Sequence, residues 1–510
     1  VNPLIGWPKA GICHGAMRHR YFFAVRHRYF FAVHHGRFVL RPAVAIATAW
    51  ALAGCASLSP DRGSADIQAL VAGNPLVAGP IAAPLPDADA ERRVDALLAQ
   101  PLDAEAAVRI ALIHAPRLHE AFAVLQLSDA DRVQAASLPN PLFGFSRLRE
   151  GRALELDRSL SFNVLGLLTL PWQARWAGER HEAAKLQAAQ NVLQLAADTR
   201  RAWVAAVAAQ QAVVYLRDAK AATEAGAELA QRMAKAGNWS ALQRSREELL
   251  LAEASTLLAR AQQAALASRE QLTRLLGLTG AQTDYRLPDR LPGLPPSLPA
   301  LADIQSHALR DRLDVRAAQA QAASTADGLG LSRATRFVDA LEIGGVRNTT
   351  FENDPAGHRS TQRGAELSLP VPLFDWGQAR DARAEALYLQ SVARVRMAGV
   401  QAASETREAY ANWQSAWAIA RRHQSELLPL RRQINDEMLL RYNGMLASVW
   451  ELLAETRASL HAVTAAMDAQ RDFWLADTDL RLALTGSSPA GAAARRTAAD
   501  PTVSTPAGAH

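Results

Sequence analysis

Leu369-Pro370-Val371-Pro372-Leu373-Phe374-Asp375-Trp376-Gly377-Gln378-Ala379-Arg380 is the stretch on which the fold turns. Across its start, Leu367, Leu369 and Val371 alternate with Glu366 and Ser368, the period of two expected of a strand with two unlike faces. Downstream, from 374 to 443, the pattern is helical, with one kink expected at Pro429. The stretch therefore joins a strand to a helix which, at 1.5 Å per residue, spans on the order of 100 Å.

The same grammar occurs earlier in the chain. Leu160, Phe162 and Val164 alternate with Ser159, Ser161 and Asn163, and a proline-free helical pattern follows from 172 to 236. The openings also correspond: Ala111-Leu112 with Arg117-Leu118-His119-Glu120-Ala121 matches Ala308-Leu309 with Asp314-Val315-Arg316-Ala317-Ala318, displaced by 197 positions. We read two repeats, 101–286 and 301–486, joined by a Pro-rich linker at 287–300 that crosses the middle. Each repeat holds an opening helix (near 102–137 and 302–335), a β-hairpin (139–170 and 336–372), a long helix (172–236 and 374–443) and a returning helix (241–277 and 446–485). An opening and a returning helix laid end to end match one long helix, about 50 Å plus 55 to 60 Å, which predicts a two-layer wall of fixed height. Leu186, Leu193, Val207, Val214 and Ala221 share one heptad position, interrupted by Arg200, a coiled-coil-like seam. The far turns, Lys235-Ala236-Gly237-Asn238 and Arg441-Tyr442-Asn443-Gly444, carry the Gly and Asn that suit helix C-caps. The fold class is thus mainly α with a pair of β-hairpins. Four strands in one chain cannot close a barrel alone.

Outside the repeats the composition changes. Residues 1–54 begin with Val, contain the octapeptide Arg-His-Arg-Tyr-Phe-Phe-Ala-Val twice in tandem (18–25 and 26–33), and hold seven basic residues but no acid. We read them as a leader: upstream translated sequence, with a start near Val33 or Val39, then a basic flank and an apolar run too short for a membrane span. Leu52-Ala53-Gly54-Cys55 resembles a bacterial lipobox, in which the Cys55 sulfur is diacylated; the plainer reading is a small apolar residue in an ordinary secretory signal. Acylation would supply stable anchoring without a transmembrane helix. Residues 55–100 read as the lipidated Cys and an extended linker, and 487–510 as a disordered tail.

Charge and chemistry narrow the function classes. Removing the seven leader charges from the formal +6 leaves the remainder at −1, with no basic stripe that would suit nucleic acid. Cys13 falls in the leader and Cys55 at the lipobox, so neither a disulfide nor a Cys-based metal site is expected. No His pair with zinc-hydrolase spacing, no phosphate-binding Gly loop (Gly328-Leu329-Gly330 lacks the third glycine) and no nucleophile elbow occur. We therefore expect no enzyme, no cofactor and no metal site. Met438 and Met445 flank the second far turn, where packing is the commoner use of Met.

Residues 100–485 resemble the TolC-like outer-membrane efflux family. The quoted stretch is similar to the family's strand-to-helix junction, a proline, an apolar pair, Asp and Gly before a basic residue. Tyr442-Asn443-Gly444 with Ser448, Leu452 and Ala454 is similar to its periplasmic helix turn. The resemblance implies a homotrimer in which four strands per protomer form a twelve-stranded transmembrane β-barrel above a long α-helical coiled-coil tunnel extending into the periplasm. It implies an outer-membrane, lipid-anchored exit duct, passively conducting drugs or metal ions, with a periplasmic adaptor and an inner-membrane pump as partners. The candidate periplasmic gate is Tyr442, Gly444, Trp450, Glu451 and Leu453. Many members carry an Asp at the position of Leu453, so a closed mouth here would rest on dewetting by Leu and Trp, with plain packing as the alternative. A periplasmic adaptor would show one helical hairpin with lipoyl-like flanks, and a structural coiled-coil lipoprotein would lack the alternating strands.

Overall fold

The computed structural model describes residues 57–77, 79, 81, 88–151, 153–299, 303–338, 340–351 and 358–488. The leader 1–54, Cys55 and the tail beyond 488 lie outside the described residues, as does the side chain of Trp450.

In chain order the elements are α1 (Ser64–Val71), α2 (Ala88–Leu98), α3 (Ala104–His114), α4 (Pro116–Ala136), β1 (Leu142–Glu150), β2 (Ala153–Asn163), α5 (Val164–Lys235) and α6 (Ala241–Leu276). There follow a 3-10 turn (Gly280–Thr283), α7 (Ile304–Asp311), α8 (Leu313–Ala334), β3 (Glu342–Phe351), β4 (Arg359–Ser368) and α9 (Gln378–Arg422). A π-helical turn (His423–Leu427), α10 (Leu428–Asn443) and α11 (Val449–Thr485) complete the chain. The strands form one antiparallel sheet in the order β1-β2-β3-β4, so the two hairpins pair with each other through β2 and β3, from Leu154↔Phe351 to Asn163↔Glu342.

Several expectations are corrected. The first long helix begins at Val164, not 172, so the expected hairpin 139–170 ends early and Pro171 lies inside the helix. Pairing decides this: the Val164 N–H donates to Leu341 O at 2.8 Å, and the Asn163 side chain caps the Gly166 N–H at 2.7 Å, so the chain is already helical when Pro171 arrives. In the second long helix the irregularity is the π turn at 423–427, one turn before Pro429, where widening takes up the hydrogen bond that proline cannot donate.

Both opening helices are broken, at Ala115 (φ −65, ψ 124) and Arg312 (φ −63, ψ 126). Pro116 forces the first break by excluding its predecessor from helical dihedrals. Burial holds the second: Arg312 is inaccessible to solvent and bonds Asp314 at 2.5 Å and Glu405 at 3.1 Å.

The segment expected to be extended, 55–100, contains α1 and α2. Ile67, Leu76 and Val94 are fully buried, and Val71 nearly so. Its Pro, Gly and Ala content masks an apolar i, i+4 pair, Ile67 and Val71, which has α5 to pack on. At the other end, Ser487 is buried and its Oγ lies 3.1 Å from Gln194 Oε1, so the start of the expected disordered tail is docked.

The main core lies where α5 meets α3, α4 and α6, around Ala189, Leu193, Ala196, Ala197, Val204 and Val207. The heptad seam read from sequence holds to Val207; Val214 is exposed, and the buried positions shift to Leu216, Thr223 and Ala230. A straight helix drifts about 20° per heptad against a strict seven-residue repeat, so so long a helix must change seam. The Pro-rich linker is held as a strap: the Trp474 indole donates to Pro292 O and the Trp417 indole to Pro295 O, each at 3.0 Å.

His181 sits in α5, buried, 3.9 Å from Asp129, which also accepts Arg132 and the Ser59 N–H at 2.8 Å. Burial first, and the Lys185 charge second, lower its pKa from the ordinary 6.5. The unfolded chain therefore takes up a proton near pH 6.5 that the folded chain refuses. This contribution to stability is present above 6.5 and is lost as pH falls toward the lower folded value. Melting curves between pH 7.5 and 5 should show falling stability, with a shallower fall for His181→Gln; equal slopes would count against His181.

Candidate channel wall and helix-tip site

Directly opposed residues of an antiparallel sheet share a face, so the register assigns every strand residue to one side. One face carries Phe143, Leu160, Phe162, Ile343, Phe351 and Leu367. The other carries Ser159, Ser161, Asn163, Asn348, Gln362 and all five strand acids, Glu150, Glu155, Asp157, Glu342 and Glu366. Asn348 Nδ2 donates to Glu155 on this second face. Over the first seven residues of β3, Ile343, Gly345 and Arg347 are exposed while Glu342, Gly344, Val346 and Asn348 are half-buried; beyond them Thr349, on the first face, is buried. Glycine fits the second face: a Cβ at Gly144 would strike Ser159 Oγ, and one at Gly344 would lie 3.0 Å from Leu160 O.

At the far end from the sheet, α5 turns into α6 and α10 into α11. Both turns close with the same hydrogen bonds, Asn238 N–H to Met233 O at 3.0 Å and Leu446 N–H to Arg441 O at 2.8 Å. The left-handed residue is Gly237 (φ 79) in the first but Met445 (φ 58) in the second, one position past Gly444, whose φ is −80. The sequence expectation of Gly444 as the special cap is thus displaced by one residue. Each returning helix starts with a capping box, Ser240 with Gln243 and Ser448 with Glu451.

The candidate gate residues are distributed unevenly. Tyr442 is half-buried and its carbonyl accepts the Met445 N–H at 3.0 Å; Gly444 is exposed. The backbone of Trp450 lies in the first turn of α11. Glu451 is committed to its cap, and the Ser448 backbone N–H followed by the Ser448 hydroxyl holds its carboxyl below the usual pKa. Leu453 is half-buried and faces Gly226 of α5, its Cδ2 3.6 Å from where a Cβ would stand. Glu455, the other nearby acid, pairs with Arg431 at 2.6 Å. The structure therefore brings Leu453 against the first helical hairpin and leaves Gly444, Met445 and Leu446 at the tip.

Sequence reasoning missed the ion pair beneath this contact. Glu247 of α6 is inaccessible to solvent and accepts Arg457 of α11 at 2.9 Å, while its Oε2 has no partner. Nothing local marks Glu247, because its partner comes from the other half of the chain. Among the described residues no cluster of His, Cys, Asp and Glu could hold a metal ion. No helix among them is long and apolar enough to cross a membrane.

No protein-family model and no curated protein sequence matches the chain. Solved structures do. The Campylobacter jejuni CmeC outer membrane channel aligns over 80% of this chain and 89% of its own at TM-score 0.65 and 14% identity. The chain has the fold of the TolC-like outer-membrane efflux channels. The outer membrane protein VceC from Vibrio cholerae aligns over 79% of this chain and 100% of its own (TM-score 0.61, 18% identity). The open state of the Neisseria gonorrhoeae MtrE outer membrane channel aligns over 74% and 88% (TM-score 0.61, 20% identity).

Two outcomes follow for the tips. Met445→Gly should stabilise the second turn by about 0.5 to 1 kcal/mol, because glycine takes the left-handed region without a Cβ clash; slower amide exchange over 440–448 checks it. Arg457→Ala should destabilise the protein by about 2 to 3 kcal/mol by stranding a buried carboxylate, discounted because Arg457 is about one-third exposed. Adding Glu247→Gln should recover most of that in chemical denaturation.

Proposed function

We propose that the chain is the exit duct of a tripartite efflux pump: a homotrimer that passively conducts small solutes, drugs or metal ions, from the periplasm to the exterior. The observation that carries this reading is the two-faced sheet with two open edges. β1 and β4 each have one neighbour, and a four-stranded sheet cannot close on itself. Three copies would give twelve strands, pairing every edge, with the apolar face toward lipid and the acidic, Ser- and Asn-bearing face around a water-filled bore. The fold likeness to CmeC, VceC and MtrE supports the same assembly.

The two halves are copies of one unit. Their opening helices break at Ala115 and Arg312, which stand 197 positions apart like the paired sequence motifs and have nearly the same dihedrals. Cys55 is the lipid anchor. The chain just after it docks at Ser59 on Asp129, a short tether to the helical body. Tyr442, Gly444, Trp450, Glu451 and Leu453 form the periplasmic mouth, which an adaptor and an inner-membrane pump would open. With Glu451 and Glu455 engaged locally, the apolar residues close it.

The purified protein should run as a trimer by light scattering in detergent and form discrete channels in planar bilayers. A monomer without conductance would refute the duct. Trp450→Ala should raise conductance; no rise would place the gate elsewhere. A Cys55→Ala variant should lose its acyl chains, yet still trimerise.

A further inference from the structure

The register separates charge completely between the two faces of the sheet. All six strand arginines, Arg147, Arg149, Arg158, Arg347, Arg359 and Arg363, lie on the face that also carries the four strand phenylalanines and most of the strand leucines, and all five strand acids lie on the other, with Leu142 and Leu148. The arginines are also graded along the strands. In the two rows nearest the helices this face is wholly apolar: Phe162, Ile343 and Leu367, then Phe143, Leu160, Gly345 and Ala365. The third row is Phe145, Arg158, Arg347 and Arg363, three arginines side by side on adjacent strands. The remaining arginines lie beyond it, toward the β1–β2 and β3–β4 turns.

Below the apolar rows, toward the helices, the apolar surface continues. Leu168 (61% exposed), Trp172 (61%), Val371 (68%) and Phe374 (97%) stand at the junctions of the sheet with the helical body. The arginine row therefore does not sit in the middle of an apolar band. It forms its upper edge, about 26 Å of extended chain above Val371. That height matters because an arginine on a lipid-facing barrel surface is strongly disfavoured at the bilayer midplane but nearly neutral at an interface.

Adjacent guanidinium groups repel unless an anion bridges them, and none of these three is neutralised by another described residue. Among the described residues no carboxylate pairs with Arg158, Arg347 or Arg363, since the acids of the same strands point to the opposite face. Arg158 Nε is buried without a hydrogen-bond partner. Thr349, in the next row of the same face, is fully buried with its Oγ1 unpartnered. The row thus has unused donors, a forked planar geometry suited to phosphate oxygens, and a position where lipid headgroups begin.

We infer that this arginine row is a binding site for the phosphate groups of anionic lipid headgroups in the outer leaflet, on the outside of the barrel and separate from the conduit. It rests on the reading of the apolar face as lipid-facing. Bound phosphates would screen the arginines from one another and fix the height of the barrel in the membrane. A trimer would carry three such sites.

The test uses the full-length protein in detergent and, as probes, bisphosphorylated hexa-acyl lipid A and the same glycolipid stripped of phosphate, with bound lipid counted by native mass spectrometry. The wild type should bind the bisphosphorylated form about tenfold or more tighter. The Arg158→Gln, Arg347→Gln, Arg363→Gln triple variant should lose that preference while remaining trimeric and conducting, and the matching Lys variant should keep part of it. Equal binding of both lipids by the wild type, or an unchanged preference in the Gln variant, overturns the inference. Should the triple variant fail to assemble, Arg347→Gln alone, the middle of the row, is read by the same criteria. Cysteine labelling in proteoliposomes separates this from the underlying reading. Leu160→Cys should react with a lipid-soluble maleimide and Ser159→Cys with a charged, water-soluble one. The reverse pattern refutes both the lipid-facing assignment and the arginine site; the expected pattern without lipid preference refutes the arginine site alone.

Discussion

Backbone pairing between β2 and β3 is the constraint from which the rest of the molecule follows. Each hairpin could satisfy only its inner hydrogen bonds alone, and a two-stranded hairpin is marginal in water. Joining them from Leu154↔Phe351 to Asn163↔Glu342 makes one sheet out of two distant parts of the chain and sets every face assignment. It also places Leu341 O where the Val164 N–H can reach it, so the start of the longest helix is set by strand pairing rather than by the proline that follows.

The helical body is built on small side chains. Ala188, Ala189, Ala196, Ala197 and Ala206 are buried along α5, which lets neighbouring helices approach closely over a long contact without large knobs. Tryptophan supplies the fixed points. Trp203 donates to Leu102 O at 2.7 Å at the entry to α3, and Trp417 and Trp474 clamp the linker between the halves. A typical bond of this kind contributes only about 1 kcal/mol net, so its value lies as much in fixing where a proline-rich segment runs as in energy.

The helix tips show how charge can be present and yet unavailable. Glu451 is spent on a capping box, Glu455 on Arg431, and Glu247 on Arg457, although all three lie near the far end of the hairpins. Beside the exposed Arg441 and Asn443, the second tip turns two large apolar side chains outward: Met445 is 94% exposed and Leu446 82%. The contact between Leu453 and Gly226 ties α11 to α5, so any movement of the second hairpin at this end must break packing against the first.

The sequence alone determined what depends on local pattern. Period-two alternation marked the end of β2 and, three residues late, the end of β4, long apolar periodicity marked the long helices, and the Gly and Asn at the far turns marked the tips, because each of these signals lies within a few residues of the structure it specifies. It misplaced what depends on partners. Pro171 looks like a helix start until Asn163 and Leu341 are placed beside the preceding turn. Residues 55–100 look extended until α5 gives Ile67 and Val71 something to pack against. Gly444 looks like the left-handed cap until the hydrogen bonds of the turn assign that role to Met445. Of the candidate mouth, the residue types and the turn were legible, whereas the commitment of Glu451 and Glu455 and the burial of Glu247 were not. The distribution of arginines and acids between the two faces of the sheet was decided only by register, because a shift of one residue in pairing exchanges the faces, and register is a property of the folded sheet and not of any single strand.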